Sequence, residues 1–129
     1  MPMNVEVSHH IDASDPEADG SYDYYYEYDV YTFSDGSFSY FVRSYVDQPE
    51  RAAFMSGLKG TRGFHLEARH LRTRLFADAV AYLHLAGKTD LNWLSKRKGD
   101  YLPISDLDEP GFARLWRRLQ TLLMRKAAK

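Results

Sequence analysis

The chain has 129 residues, of which 44% are hydrophobic and 15% are aromatic, and this is enough apolar material for a single domain spanning residues 1–129. It contains no cysteine, which excludes disulfides, thiolate zinc sites and cysteine nucleophiles. The formal net charge is −1, and the sequence shows neither a signal-peptide pattern nor a long apolar run, so a cytoplasmic protein without a membrane span is expected.

The charges are unevenly divided along the chain. Residues 1–50 contain eleven Asp and Glu against one basic residue, Arg43, whereas residues 51–129 contain sixteen Lys and Arg against seven acids. This division predicts an acidic half and a basic half. The simpler interpretation is that the two halves attract each other within one domain, and the alternative is that the basic half faces a polyanion.

The first predicted elements are strands. Residues 5–11 alternate between apolar and polar side chains, which is typical of a strand with one apolar face. After an acidic loop, a Tyr-rich segment over residues 21–46 has Asp35-Gly36 at its centre, and Asp-Gly between two alternating runs predicts a hairpin. The predicted cross-strand pairs are Ser34 with Ser37, Phe33 with Phe38 and Tyr31 with Tyr40.

The segment that follows the hairpin predicts helices. Asp47 is a good N-cap and Pro49 suits a first turn, so a short helix is expected over residues 48–56. Three glycines interrupt the pattern over residues 56–63. Apolar residues at three- and four-residue steps then predict a long helix from residue 64 to residue 86.

The remaining elements are also predicted to be mainly helical. Gly87 is expected to end the long helix as a C′ residue. Residues 89–98 predict a shorter helix, with a hairpin as the alternative, and residues 101–104 are expected to be extended. A last helix is expected over residues 108–125, because its apolar residues follow the helical period.

The order of the elements, strands first and helices afterwards, predicts an α+β fold. Its sheet is expected to be a three-stranded antiparallel meander, because successive strands usually pair. Two longer helices and one or two short ones are expected to pack on one face of this sheet. Both faces of the Tyr-rich hairpin are apolar, so one layer of helices leaves the second face without a cover.

The uncovered face predicts a non-enzymatic protein-interaction module, such as an adaptor, an inhibitor or a regulator. The expected partner is another protein or a second copy of the chain, since a sheet face can close a symmetric dimer. Arg43 is expected to stack on the ring of Tyr28. The predicted partner-binding residues are Tyr22, Tyr24, Tyr25, Tyr31, Tyr40 and Arg43.

An alternative function is the binding of an anion or nucleic acid by the basic helical half and the glycine-rich segment 56–63. A glycine-rich loop that runs into a helix directs backbone N–H groups at an anion. The spacing is not that of a Walker motif, and a flexible glycine connector is the simpler interpretation. The residues of the anion-binding alternative are Lys59, Thr61, Arg62, Arg69 and Arg72. For nucleic acid, Lys96, Arg97 and Lys98 are expected to contact phosphates as well.

Catalytic and metal sites have weak support in the sequence. Glu27 and Asp29 share a strand face, but no nucleophile motif accompanies them. An enzyme would be recognised by a deep polar pocket that holds both acids and a histidine. The five histidines lack the His-Glu-x-x-His spacing, so the sequence predicts no catalytic residue, no metal and no cofactor.

Overall fold

A computed structural model describes residues 2–104, which form one seven-stranded sheet, one 3-10 helix and one α-helix. The 3-10 helix spans Ala68–Arg72 and the α-helix, α1, spans Arg74–Leu85. No helix between residues 2 and 104 is long and apolar enough to cross a membrane. The strands are β1 (Asn4–Ala13), β2 (Tyr25–Ser34), β3 (Phe38–Tyr45), β4 (Arg51–Lys59), β5 (Arg62–Phe64), β6 (Asp90–Ser95) and β7 (Asp100–Pro103).

The predicted α+β class is wrong, because the described chain is mainly β-sheet with one helix instead of two longer ones. The expected three-stranded antiparallel meander is present as β1, β2 and β3, and β4 extends it. After a short hairpin to β5, the chain crosses through α1 and returns as β6, which is parallel to β4. Strand β7 then pairs antiparallel with β6. The helix expected over residues 108–125 lies outside the described residues.

The helix expected over residues 48–56 is wrong, because this segment is a turn followed by β4. Its alanines and methionine suit a helix, but Ala52 and Phe54 alternate with exposed-side residues and point into the core. Strand β4 also has a hydrogen-bonded neighbour on each side, β3 and β6. Pairing with distant strands therefore overrides the local helix preference.

The long helix expected over residues 64–86 is only half present. Phe64 ends β5, and α1 begins after Thr73, whose Oγ1 accepts a hydrogen bond from the Phe76 N–H at 3.3 Å. Gly87 ends the helix as expected, with a φ of 88°. In residues 89–98 the structure shows the alternative, a β6–β7 hairpin, and the predicted helix is wrong.

The central hairpin has the predicted faces but a different register. Strands β2 and β3 pair Ser34 with Ser39 and Phe33 with Tyr40, two residues away from the expected pairs. The turn is centred on Gly36 and Ser37, because the Asp35 N–H donates to the Phe38 carbonyl and Gly36 has a φ of 94°. A shift of two residues keeps every side chain on its predicted face.

Helix α1 covers one face of the sheet and forms the core with it. Phe76 lies between the rings of Tyr40, at 5.4 Å, and Phe54, which stacks on it at 4.1 Å. The Tyr40 hydroxyl hydrogen-bonds the Thr73 hydroxyl at 2.8 Å, so this buried phenol keeps a polar partner. The largest fully buried side chains of this core are Phe33, Tyr40, Val42, Phe54, Phe76, Val80 and Leu83.

The cover is incomplete at the end of the sheet where β2 begins. There, on the helix side, Val7, Ile11 and Val46 are exposed by 53%, 58% and 50%.

On the opposite side of the sheet, no helix of residues 2–104 packs at all. We call this side the open face. Its main side chains are Tyr26, Tyr28, Val30 and Thr32 of β2, Phe41, Arg43 and Tyr45 of β3, Ala53 of β4 and Tyr101 of β7.

Gly57 provides a test of the packing between β4 and β5. A Cβ at this position would clash with the Phe64 ring, which stacks on His70 at 4.5 Å. We expect Gly57→Ala to lower the free energy of unfolding by about 1–3 kcal/mol in urea denaturation. The control is Gly63→Ala, where the nearest atom is 3.8 Å away, and its stability should stay near that of the wild type. Equal stability of the two variants would contradict this packing.

Candidate binding site on the open face of the sheet

Arg43 lies near the centre of the open face. Its guanidinium carbon is 4.3 Å from the centre of the Tyr28 ring, and its Nη1 donates a hydrogen bond of 3.3 Å to the Tyr45 hydroxyl. The predicted stacking of Arg43 on Tyr28 is confirmed. Two rings from neighbouring strands thus fix the plane of the guanidinium.

Aromatic rings continue from Arg43 across three strands. His10 stacks on Tyr28 at 5.4 Å, and Tyr45 lies 5.5 Å from Tyr28 and 6.2 Å from Tyr26. Tyr24, which precedes the first residue of β2, stacks on Tyr26 at 6.1 Å and lengthens the row at that end. The row presents large, rigid rings with polar tips, which is the chemistry that protein interfaces favour.

Arg43 has no acidic partner in the described residues. None of the ion pairs among residues 2–104 includes it, and its Nε is buried without a hydrogen-bond acceptor. Burial acts to lower the pKa of Arg43, but the phenol oxygens of Tyr45 and Tyr28 outweigh it and hold the pKa above its usual value. A buried donor without an acceptor costs about 1–3 kcal/mol, and more when the group is charged.

A pocket with a volume of about 180 Å³ opens beside Arg43. Strand β4 contributes to it through a bulge, since Phe41 pairs with Ser56 and Val42 with Phe54, which leaves Met55 unpaired. The lining residues are Arg43, Tyr45, Gln48, Arg51, Ala53, Met55 and Tyr101. We call this the arginine pocket. A second depression of about 440 Å³ shares the walls formed by Tyr45 and Gln48.

Arg51 is the second cation of the arginine pocket. Its Nε lies 3.8 Å from the Asp90 carboxylate on β6, and both side chains are largely exposed. An exposed pair at this distance contributes little stability. The Tyr101 hydroxyl on the far wall has only the Met55 sulfur, at 3.9 Å, as a partner in the described chain. The pocket therefore has donors that are weakly used.

The two oppositely charged halves of the chain do not pair with each other in residues 2–104. The ion pairs there join His9 to Glu27 and Asp29 within the acidic half, and the other three lie within the basic half. The interpretation that the halves attract each other therefore has no support from ion pairs in this part of the chain. Arg43 takes part in none of these ion pairs, so no carboxylate in residues 2–104 neutralises its charge.

Glu27 and Asp29 meet a histidine, but on the helix side of the sheet. The His9 Nδ1 lies 2.7 Å from Asp29 and its Nε2 lies 2.8 Å from Glu27. Both ring nitrogens face carboxylates, so an imidazolium with two N–H donors fits the cluster best. All three side chains are about one-third to one-half exposed, in contrast to the deep pocket expected of an enzyme. Residues 2–104 contain no group of three such side chains arranged to hold a metal ion.

The predicted partner-binding residues are distributed over different parts of the fold. Tyr40 is fully buried in the core and Tyr31 packs against Tyr82 of α1. Tyr25 is exposed but lies on the helix side, beside the cluster of His9. Tyr22 and Tyr24 are exposed just before β2. Of the six predicted residues, Arg43 is the one that lies on a strand and points to the open face. Sequence reasoning missed Arg51 and Tyr101, which line the arginine pocket beside it.

The anion-binding alternative is also partly assembled. The expected loop over residues 56–63 is the β4–β5 hairpin, with Gly60 at its turn. A groove beside it is lined by Lys59, Arg62 and Arg69 together with aromatic rings, whereas Thr61 and Arg72 do not line it. Arg69 is bound by Glu67 at 2.9 Å, which leaves Lys59 and Arg62 without an acid in the described chain.

Comparisons with known proteins add nothing to this geometry, since no family model, no curated protein and no solved structure matches the chain.

His9 gives a pH-dependent test of the cluster on the helix side. The hydrogen bond that His9 donates to Asp29 is the largest cause of its raised pKa, partial desolvation opposes the rise, and Glu27 adds to it. A raised pKa means that the cluster stabilises the fold fully below pH 6.5, the ordinary value, and that this contribution is lost as the pH rises through the folded pKa. NMR titration should give a pKa above 6.5 in the wild type, lowered more by Asp29→Asn than by Glu27→Gln. A wild-type pKa at or below the ordinary value would contradict the geometry.

Proposed function

We propose that this protein is a protein-binding module whose interface is the open face of its sheet. The observation that carries the proposal is a row of rings around Arg43 that no helix of residues 2–104 covers. Tyrosine and arginine are the residues most often responsible for binding energy at protein interfaces. The module therefore acts as an adaptor, an inhibitor or a regulator.

The dimensions of the open face agree with this role. Six strands lie side by side along the main path of the sheet, which gives a width of about 24 Å at ~4.8 Å per spacing. Strands of eight to ten residues at its centre extend about 27 Å or more, at ~3.3 Å per residue. The resulting face of roughly 600 Å² approaches the ~800 Å² per partner of a standard interface.

A different protein suits this face better than a second copy of the chain. Arg43 lies near its middle, and a two-fold dimer stacked there would bring this cation close to its own copy. Like charges facing each other in an interface cost several kcal/mol. A partner with acidic side chains at its centre would instead neutralise this charge, so we assign the face to such a partner.

An enzymatic function is less well supported. Glu27, Asp29 and His9 are within hydrogen-bond distance of each other, but they are partly exposed on the helix side, away from the arginine pocket. Water at such a site weakens the electrostatic effects on which acid–base catalysis depends.

The proposed interface can be tested with neighbouring tyrosines of similar exposure. Tyr26 and Tyr25 are 53% and 47% exposed, but the first lies on the open face and the second on the helix side. Random dodecapeptides selected for binding to the full chain should lose about tenfold or more in affinity with Tyr26→Ser, as expected of an interface aromatic. Tyr25→Ser is the matched control and should change the affinity by less than about twofold.

Two results would contradict the proposed function. One is a failure to select any binding peptide, and the other is a set of peptides whose affinity depends on Tyr25 instead of Tyr26. NMR chemical shifts of the wild type should change at Val30, Phe41 and Ala53 when a selected peptide is added. Changes confined to α1 would likewise place binding on the wrong side of the sheet.

Anion or nucleic acid binding is a second candidate function, supported by the groove beside β5. Lys59 and Arg62 lie there without acidic partners in residues 2–104, next to the rings of Phe38 and Phe64. Cations next to exposed rings can bind the backbone and bases of a single strand.

The second candidate is tested by titrating a labelled single-stranded oligonucleotide at two salt concentrations. If the groove binds phosphates, the affinity should fall steeply with salt, and the double variant Lys59→Gln/Arg62→Gln should reduce both affinity and slope. Arg43→Gln, on the other side of the sheet, is the control. An absence of binding at low salt would remove this candidate.

A further inference from the structure

The arginine pocket has more hydrogen-bond donors than the described chain uses. A guanidinium has five N–H donors, and in residues 2–104 one of those of Arg43 reaches an acceptor, the Tyr45 hydroxyl. The Tyr28 ring and the Tyr45 hydroxyl hold the group in place, so its donors lie in a fixed plane, with the Nε buried. A planar fork of this kind matches the two oxygens of a carboxylate.

The other walls of the pocket suit a short acidic side chain. Gln48, Arg51 and Tyr101 add polar groups around its rim, whereas Ala53 and Met55 provide an apolar floor. None of the lining residues within the described part of the chain is acidic. The volume of about 180 Å³ is below the ~300–1,000 Å³ of pockets that bind drug-sized ligands, so it fits one side chain better than a cofactor.

The charge of the pocket indicates a single negative charge on its occupant. Arg43 is unpaired in the described chain, and the charge of Arg51 is shared with Asp90. One full positive charge therefore has no carboxylate beside it among residues 2–104. A carboxylate matches it with one negative charge, whereas a phosphate monoester carries about −1.5 to −2 at neutral pH.

We propose that the arginine pocket is a carboxylate-binding site that takes one aspartate or glutamate side chain of the partner protein, with Arg43 as the anchoring residue. This inference rests on the proposed function, because it names the chemistry by which the partner is recognised on the open face. The pocket selects a partner with a carboxylate at this position, and the surrounding aromatic rings supply most of the contact area with the partner.

The experiment uses the full chain and a small probe with one carboxylate, N-acetylglutamate α-methylamide. The corresponding glutamine derivative is the matched neutral probe. Titration should shift the Arg43 Nε–H resonance and the amides of Ala53 and Met55 in a saturable way, and the glutamine probe should bind at least about tenfold more weakly, since it lacks the charge-assisted bonds.

Variants then separate the pocket from the rest of the face. Arg43→Gln should abolish the response, and Arg43→Lys should reduce it because the charge is kept but the fork is lost. Arg51→Gln, at an exposed side chain that leaves the core intact, should weaken binding to a smaller extent. Arg62→Gln on β5 is the control and should have no effect.

Three results would overturn the inference. They are an unchanged Arg43 resonance at tens of millimolar probe, equal binding of the glutamine probe, and tighter binding of inorganic phosphate than of the carboxylate. Failure here is distinguishable from failure of the proposed function. If selected peptides bind the open face without an acidic residue, the carboxylate site is wrong and the proposed interface is retained. If the glutamate probe binds but no peptide does, the pocket binds a carboxylate and the proposed interface is wrong.

Discussion

The structure depends on a mismatch between the width of the sheet and the width of the helix that covers it. Six strands placed side by side span about 24 Å, whereas one α-helix with its side chains is ~10 Å across. Helix α1 therefore buries a central strip, with Phe76 packed between Tyr40 and Phe54, and leaves apolar side chains exposed at one end of the same side. The opposite side has no helical cover in residues 2–104.

The position of Arg43 gives the open face its specific chemistry. It is the one basic residue among the first fifty, yet none of the eleven acids in that segment pairs with it in the described chain. Glu27 and Asp29 lie on the other side of the sheet, where His9 already binds both. Strand alternation thus separates the charge of Arg43 from the nearest carboxylates, and phenol rings take their place.

Local patterns were sufficient to predict the parts of the fold that neighbouring residues determine. The meander, both faces of the hairpin and the stacking of Arg43 on Tyr28 follow from alternation and one turn. Strands β4 and β6 were mistaken for helices because their strand state comes from pairing with each other and with β3, across long sequence separations.

The candidate site was predictable only where β3 forms it. Arg51, Met55 and Tyr101 reach the arginine pocket from β4 and β7, and no local signal in the sequence connects these strands to Arg43. Recognising residues 101–104 as extended placed Tyr101 and Leu102 on opposite faces, but it did not show which face was open. The bulge at Met55 also has no signature in the sequence.

The most direct test of this account uses the natural absence of cysteine. Ala52 and Ala53 are adjacent on β4, but Ala52 is 1% exposed beneath α1 whereas Ala53 lines the arginine pocket on the open face. In the dilute full-length protein, a thiol at Ala53→Cys should react with a maleimide orders of magnitude faster than one at Ala52→Cys, which needs local opening of the fold. Equal protection of both thiols would show that the second face is covered and would contradict the account.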